Sequence, residues 1–269
     1  MIEVHGESDR GQRRSHNEDS FKVDADKGLL MVADGMGGHA AGEVASAIAI
    51  RSITEFIEQT GENPDLTWPF GFDPELSFES NVLRSAITLA HRHVKQAAEE
   101  RDEYVGMGTT VVCALIKDRV VHVANVGDSR AYLLRGGELV QVTEDHTWIA
   151  EQVRGGILTP QEVRSHPWRN VVTRALGSRP QADIDVASFE LHPKDLLLLC
   201  SDGLSSMIDD SEIHKLMQKY ADDLDSAASA LIEAANQAGG EDNITVVLAR
   251  YTDNKGSLED TQPTTPPPA

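Results

Sequence analysis

Five aspartates in this sequence stand where an acidic side chain could do chemistry. Each follows a strand-like apolar run or lies in a polar or glycine turn: Asp19 in NED, Asp34 in ADG, Asp128 in GDS, Asp202 in SDG and Asp242 in EDN. An Asp before Gly is most often a turn former that bonds to its own backbone, and this accounts for any one of them alone. Three of the five end or flank runs that should be buried, where an ionised carboxylate needs a partner of opposite sign.

Metal ions are the remaining candidates for that partner, because too few basic residues, Arg14 and Arg130 among them, lie near these aspartates in the sequence. A set of Asp and Glu oxygens, without Cys and without paired His spacing, favours Mg²⁺ or Mn²⁺ over Zn²⁺. Two such ions about 4 Å apart share a water, lower its pKa and direct the resulting hydroxide at phosphorus. We therefore expect Asp34 to bridge two ions, with the glycines after it allowing a close backbone approach.

The elements that must position these carboxylates are strands in the middle of the chain and helices on either side. The segments TTVVCALI and VVHVANV, separated by KDR, predict an antiparallel hairpin, and Gly136 with Gly137 predicts a second one. Further strands are predicted at 29–33, 195–200 and 244–251. Apolar positions three or four apart predict helices at 40–59, 73–100, part of 148–164, 211–220 and 224–238. This order predicts an α+β fold of mostly antiparallel sheets covered by helices.

Composition and charge narrow the class of protein. A length of 269 residues favours one large domain. The net charge of -20, from 44 acidic and 24 basic residues, argues against a nucleic-acid or anionic-membrane surface. Apolar runs such as 196–200 are far shorter than the roughly 20 residues that cross a bilayer. The opening MIEVHGESDR shows no basic and then apolar leader, so we expect a cytoplasmic protein. Cys113 and Cys200 lie in apolar runs and are expected to be buried, unpaired thiols.

Six motifs occur in an order that resembles a known family: RSHNED, VADGMGGHAAGE, GTTVV, VGDSRAYLLR, LLLCSDGL and GGEDNITVV. The sequence resembles a bacterial member of the metal-dependent protein Ser/Thr phosphatases of type 2C from residue 1 to about 251. The resemblance implies a four-layer αββα sandwich, two central antiparallel sheets flanked by pairs of helices. It implies a catalytic domain at 1–251 with a flap at about 145–170. The segment 252–269 lacks core residues and ends in prolines, which predicts a disordered tail.

The resemblance also implies a set of metal ligands for two Mn²⁺ or Mg²⁺ ions and a third. Asp34, Asp202 and Asp242 would bind the first ion, and Asp34 with the Gly35 carbonyl would bind the second. Glu18 and Asp19 would surround the second ion, largely through water. Asp128, together with Asp202, would bind the third ion, and the carbonyl of Ser165 in the flap would complete that site.

Two further residues receive roles from the resemblance. Arg14 corresponds to the arginine that holds the substrate phosphate, and its planar guanidinium suits two phosphate oxygens at once. Asn243 would orient the site without touching an ion.

Met36 stands directly after DG, where relatives from higher organisms often carry a histidine as a general acid, and Met36 cannot donate a proton. His39 is open to two interpretations, a proton donor to the leaving oxygen or a cap of the following helix, and a metal-bound water is the alternative acid.

We therefore predict a hydrolase that removes phosphate from phosphoserine and phosphothreonine in proteins by in-line attack of a metal-bridging hydroxide. Its partners would be phosphorylated proteins, a bacterial Ser/Thr kinase or that kinase's substrates, with the enzyme acting as a monomer. Two alternatives remain. One is a catalytically silent relative that binds phosphopeptides or senses ions, which would typically lack one of the aspartates. The other is a nuclease or small phosphoesterase that uses the same metals, and the acidic surface disfavours the nuclease.

Overall fold

The computed structural model describes residues 1–38, 41–62, 68–159, 162, 166–168 and 171–252. The strands of this part of the chain are β1 (Ile2–Asp9), β2 (Asp19–Asp24), β3 (Leu29–Met36), β4 (Gly108–Thr109), β5 (Val111–Lys117), β6 (Val120–Val126), β7 (Arg130–Arg135), β8 (Glu138–Gln141), β9 (Asp185–Glu190), β10 (Leu196–Cys200) and β11 (Ile244–Tyr251). Its α-helices are α1 (Ala41–Glu62), α2 (Phe78–Glu100), α3 (Trp148–Arg154), α4 (Asp202–Ser205), α5 (Asp210–Lys219) and α6 (Leu224–Gln237).

The strands form two sheets in which every neighbouring pair is antiparallel. One sheet has the order β1-β11-β10-β7-β8, and the other has the order β2-β3-β5-β6-β9, with β4 added beside β3. The long helices α1 and α2 pack together, and α5 packs against α6. The predicted α+β class is therefore confirmed.

Alternating side chains on the central strands separate the layers. On β3, Leu29 and Met31 pack under α1 and α2, whereas Leu30 and Val32 lie between the two sheets. On β10, the even-numbered leucines pack against α5 and α6, and the odd-numbered ones meet the other sheet. Because successive side chains of a strand point to opposite faces, a run that is apolar throughout is buried on both sides. Those runs produce the order helix pair, sheet, sheet, helix pair.

Both predicted hairpins are present. Strands β5 and β6 are joined through Asp118 and Arg119, and Asp118 adopts a φ of 54°, which Asp tolerates better than most residues. Strands β7 and β8 are joined by Gly136 and Gly137, whose φ values of 60° and 88° match the turn that suits a two-residue hairpin. The pairing of β5 with both β3 and β6 places the end of β6, and thus Asp128 just after it, near the carboxyl end of β3.

The prediction that a helix begins at residue 73 is wrong. Helix α2 begins after Ser77, whose hydroxyl accepts a hydrogen bond from the Ser80 N–H as an N-cap. Residues 73–76 instead form a turn, in which the Asn81 side chain accepts from the Asp73 N–H and donates to the Asp73 carbonyl. Strands β1, β2 and β9 are additional to those predicted. The predicted tail lies outside the described residues from 253 onward, and the predicted flap lies partly outside them.

The helices of the described residues include none that is both long and apolar enough to span a bilayer. Cys113 and Cys200 are both free and fully buried, as predicted, and burial raises the pKa of each thiol to about 12.

Candidate functional site

Asp34 lies near the end of β3, where two consecutive threonines at the junction of β4 and β5 hold its backbone. The Thr110 hydroxyl accepts from the Asp34 N–H at 3.1 Å, and the Thr110 N–H donates back to the Asp34 carbonyl at 2.9 Å. The Thr109 hydroxyl donates to the same carbonyl at 2.8 Å. The motif GTTVV therefore positions the carboxylate through the main chain, a role that the sequence analysis did not assign.

Asp19 lies directly opposite Asp34 in the β2–β3 register, so both side chains stand on the face that meets the other sheet. Like charges placed opposite each other across strands destabilise a sheet. The Asp19 Oδ2 atom accepts from the Ser201 hydroxyl at 2.8 Å and from the Thr245 hydroxyl at 2.6 Å. Hydrogen bonds from the opposite sheet thus satisfy one oxygen of Asp19 and connect the two layers.

Four other aspartates surround Asp34 closely enough to affect its ionisation. Burial raises the pKa of Asp34 well above its usual value, and the carboxylates of Asp19, Asp202, Asp128 and Asp242 raise it further. Burial is also the main reason that the pKa values of Asp19 and Asp128 rise to about 7 and about 8. The predicted aspartates therefore come together in one cluster whose negative charges outnumber the positive charges of the nearby Arg14 and Arg130.

Two oxygen atoms in this cluster are left without a partner from the protein. The Oδ1 atoms of Asp19 and Asp202 are buried and have no hydrogen-bond partner. Burial raises the pKa of Asp202, as does the nearby Asp242, whereas the charges of Arg14 and Arg130 oppose the increase. Buried polar atoms are normally paired, and a hard divalent cation prefers carboxylate oxygens. The donor set of the acidic cluster therefore fits Mg²⁺ or Mn²⁺.

Asp242 forms an ion pair with an arginine of the same chain. The Arg14 Nη2 atom donates to the Asp242 Oδ2 atom at 2.6 Å, and the Asn243 N–H donates to Oδ1 at 2.8 Å. Within the ranges that the structure describes, no three acidic, imidazole or thiolate side chains are already arranged to hold one ion. The residues predicted to bind metal and phosphate are thus neighbours, but Asp242 is directed at Arg14.

Asn243 ties together the loop that carries Arg14 and Glu18. Its side-chain oxygen accepts from the Glu18 N–H at 2.8 Å, and its Nδ2 atom donates to the carbonyls of Arg10 and His16 at 2.9 Å each. Asn243 is only 3% exposed, so these bonds are shielded from water. The geometry supports the orienting role predicted for Asn243, which acts through the backbone of the loop.

Gly35 and Glu18 meet at the start of α1. A Cβ atom on Gly35 would collide with the carbonyl oxygens of Gly42 and Glu18, so only glycine fits at position 35. Burial raises the pKa of Glu18, and the charge of Arg14 opposes that increase. The Gly42 N–H also lowers this pKa by hydrogen bonding to the carboxylate, as expected at the start of a helix.

Asp128 belongs to the loop between β6 and β7, which His146 holds in place. The His146 Nδ1 atom accepts from the Gly127 N–H at 3.0 Å, and the backbone N–H of His146 donates to the Gly127 carbonyl at 3.0 Å. The ring proton therefore lies on Nε2, which donates to Asp185 at 3.0 Å. Arg130, the nearby cation in the sequence, forms a bidentate ion pair with Asp145. It acts on Asp128 only through its charge, which lowers the pKa of that carboxyl.

The other two predicted site residues, His39 and Ser165, lie outside the described residues. Of the remaining predicted residues, Asp19, Asp34, Asp128, Asp202 and Asp242 form the acidic cluster, and Arg14, Glu18, Gly35 and Asn243 border it. Their binding of metal and phosphate stays a prediction. The functional contacts that the sequence analysis missed are those of Thr109, Thr110 and His146.

Comparison with known proteins identifies the class to which this fold and site belong. Residues 7–244 match the family model described as protein phosphatase 2C, so the chain belongs to that family. It is similar to the serine/threonine phosphatase stp of Listeria monocytogenes, with 38% identity over 249 residues that cover 90% of this chain and 92% of that protein. The predictions of the family and of a protein-serine/threonine phosphatase are therefore confirmed.

Solved structures support the same conclusion. The serine/threonine phosphatase PstP/Ppp of Mycobacterium tuberculosis superposes with a TM-score of 0.81 at 36% identity, covering 94% of this chain and 99% of that one. A catalytic domain of PstP in complex with 2 manganese ions superposes with a TM-score of 0.78 at 35% identity, over the same shares of the two chains. The four-layer sandwich predicted from the resemblance is confirmed by these structures.

Proposed function

We propose that the chain hydrolyses phosphoserine and phosphothreonine in proteins with the help of divalent cations bound at the acidic cluster. The observation that carries this proposal is the pair of buried, unpartnered oxygens on Asp19 and Asp202. They lie among further carboxylates whose like charges repel one another. A cluster of this kind is costly for a fold unless a cation occupies it. The manganese ions named for one structural neighbour support the same chemistry.

Each acidic residue has a proposed place in this scheme, with Mn²⁺ or Mg²⁺ as the ions. Asp34, Asp202 and Asp242 would hold one ion, Asp34 and the Gly35 carbonyl a second, and Asp128 with Asp202 a third. Glu18 and Asp19 would border the second ion through water. When bound, such ions lower the pKa of water and stabilise charge on phosphoryl oxygens.

Arg14 would bind the phosphoryl group of the substrate. Its guanidinium is half exposed, with 46% of the side chain accessible, and lies 2.6 Å from Asp242. When Asp242 turns to an ion, the two N–H groups of Arg14 become available to phosphate oxygens. Asn243 fixes the backbone from which Arg14 projects, so the guanidinium would be prearranged for an in-line displacement in which charge builds on those oxygens.

The biological setting is part of the same proposal. The substrates would be phosphorylated proteins, and the enzyme would oppose a bacterial Ser/Thr kinase. We place the catalytic domain at 1–251, with a flap at about 145–170 and a tail at 252–269. The excess of acidic over basic residues and the short apolar runs support a monomer that acts in the cytoplasm.

A phosphate-release assay tests the proposal. The full chain is stripped with EDTA, and release of phosphate from a phosphothreonine peptide is followed as Mn²⁺ or Mg²⁺ is restored. We expect no release in EDTA and recovery with either ion. The diester bis(para-nitrophenyl) phosphate serves as the control substrate, since a nuclease would prefer it. Release that persists in EDTA, or preference for the diester, would contradict the proposal.

A further inference from the structure

A cavity lies between α2 and the segment that leads into β9. Its volume is about 510 Å³, and its described wall contains none of the acidic-cluster residues. Five residues on one face of α2 line it, at the spacing that brings side chains of successive turns together. They are Arg84, Ser85, Thr88, His91 and Arg92, and they face Pro180–Ile184 across the cavity.

Two polar atoms in this wall are buried without a partner. Ser85 and His91 are 1% and 2% exposed, and neither the Ser85 Oγ atom nor the His91 Nε2 atom has a hydrogen-bond partner. The His91 Nδ1 atom accepts from the Gly177 N–H at 3.2 Å, so the ring proton lies on Nε2. Both unpartnered atoms are therefore able to donate a hydrogen bond. A buried donor without a well-aligned acceptor is costly, so an acceptor bound in the cavity would lower that cost.

The charges around these donors are mainly positive, although the whole chain carries -20. Arg84 pairs with Asp73 at 3.3 Å, and the Arg92 guanidinium lies 4.4 Å from the centre of the Phe70 ring. The acidic group in the wall, Asp183, pairs with Arg174 at 3.1 Å.

The ionisation of His91 reflects the same environment. Burial lowers its pKa, and the nearby charges of Lys95 and Arg92 lower it too, against the opposing effect of the Arg179 and Pro180 carbonyls. The ring is therefore neutral near pH 7, with its single proton on Nε2. A ligand that carries its own negative charge complements this combination of donors and guanidinium groups.

We propose that this cavity binds a phosphate-class oxyanion, with Ser85 and His91 as hydrogen-bond donors and Arg84 and Arg92 as the neutralising charges. Solvent does not reach the two donor atoms, so entry of the anion requires a side chain of the wall to rotate. Arg92 is an exposed side chain of that wall, packed on the Phe70 ring, and its rotation would open the way. Phosphate fits because its several oxygens accept from hydroxyl, imidazole and guanidinium groups at the same time. This site is separate from the acidic cluster and does not rest on the proposed catalytic function.

The test follows the ring nitrogens of His91 by NMR while inorganic phosphate is added to the full chain at constant ionic strength. We expect a saturable shift of the His91 signals. Arg92→Gln removes a charge-assisted contact and should weaken binding about tenfold. Arg51→Gln, an exposed arginine on α1, is the matched control and should leave it unchanged. Arg14→Ala should also leave it unchanged, because Arg14 belongs to the other site.

Ser85→Ala provides a second, independent variant. Removing an unpartnered hydroxyl should not lower the unfolding temperature, yet it should weaken phosphate binding about tenfold. The source of the anion is distinguished with phenylphosphonate: binding of both ligands indicates a phosphate ester, and binding of phosphate alone indicates free phosphate. Absence of a saturable shift, or affinities that Arg92→Gln and Ser85→Ala leave unchanged, would overturn the proposal and would leave the catalytic function untouched.

Discussion

Arg14 and Asp242 form an ion pair at 2.6 Å, although 228 positions separate them in the sequence. Two residues with different proposed partners, phosphate for Arg14 and a metal for Asp242, thus neutralise each other in this structure. A cation that binds Asp242 would release Arg14 at the same time. Under the proposed roles, the ion pair would couple occupation of the acidic cluster to the availability of Arg14 for phosphate.

Arg14→Ala should raise the KM for a phosphothreonine peptide about tenfold or more and should lower kcat less, because it removes a charge-assisted contact to phosphate. Steady-state kinetics at saturating Mn²⁺ measure both constants. The neighbouring, exposed Arg13 is the matched control, and Arg13→Ala should leave KM unchanged. An unchanged KM in Arg14→Ala would show that another group binds the phosphate.

Asn243→Ala should lower both stability and kcat, because it removes three hydrogen bonds that hold the loop of Arg14 and Glu18. We expect a loss of about 1–3 kcal/mol in the free energy of unfolding. Asn81→Ala is the matched control: Asn81 is fully buried and bonds the turn before α2. That variant should lose similar stability but keep its kcat per folded molecule. If both variants lose kcat equally, the orienting role of Asn243 is wrong.

The stability of the metal-free protein should fall as the pH rises from about 4 to about 8. The pKa values of Asp19 and Asp128 in the folded state, about 7 and about 8, exceed the usual value of 3.8, so the folded state binds more protons in this range. The unfolded state is then favoured progressively as the pH increases. Urea unfolding in EDTA at several pH values measures this slope, and Mg²⁺ should abolish it.

Asp128→Asn isolates one contribution to that slope. In EDTA at about pH 8 the variant should be more stable than the parent chain by about 1 kcal/mol or more, because a neutral amide replaces a carboxylate that is costly to ionise. Phosphatase activity with Mn²⁺ should nevertheless decrease. A variant that is less stable than the parent chain in EDTA would contradict the crowding of negative charge.

His146→Ala should reduce activity by releasing the loop that carries Asp128. The substitution removes the acceptor of the Gly127 N–H and the donor to Asp185, with an expected loss of about 2–4 kcal/mol in stability. His122 is also buried and bonded by hydroxyl groups, so His122→Ala is the control for lost stability alone. Activity is compared at a temperature where both variants are folded. Equal activity of the two would show that His146 has only a structural role.

Much of this fold could be predicted from the sequence, because the central strands are continuous apolar runs and their turns have characteristic residues. Strands β1, β2 and β9 were missed for a physical reason. They lie at sheet edges, where residues are half-buried or exposed and the apolar pattern is weak. The start of α2 was placed too early because the hydrogen bonds of Asn81 with residue 73, which form a turn there, leave no periodic signal.

The aspartates of the candidate site were found from their positions after strands or in turns, but their partners were not. Pairs such as Arg14 with Asp242 and Asp19 with Thr245 join distant parts of the chain. The pairing of β1 with β11 brings the first pair together, and the packing of one sheet on the other brings the second pair together. The backbone support of Asp34 had a local signal, the two threonines before an apolar run. Threonine is common in strands, however, so that signal alone did not point to a function.

The most direct test of the central claim is a Mn²⁺ titration of the full chain and of Asp34→Asn, followed by electron paramagnetic resonance, with turnover of para-nitrophenyl phosphate measured on the same samples. We predict that the parent chain binds at least two ions and is active. Asp34→Asn should remain folded, bind Mn²⁺ about tenfold more weakly or worse, and lose turnover. Unchanged Mn²⁺ stoichiometry and affinity in Asp34→Asn, with turnover near normal, would contradict the claim that this carboxylate holds the metals.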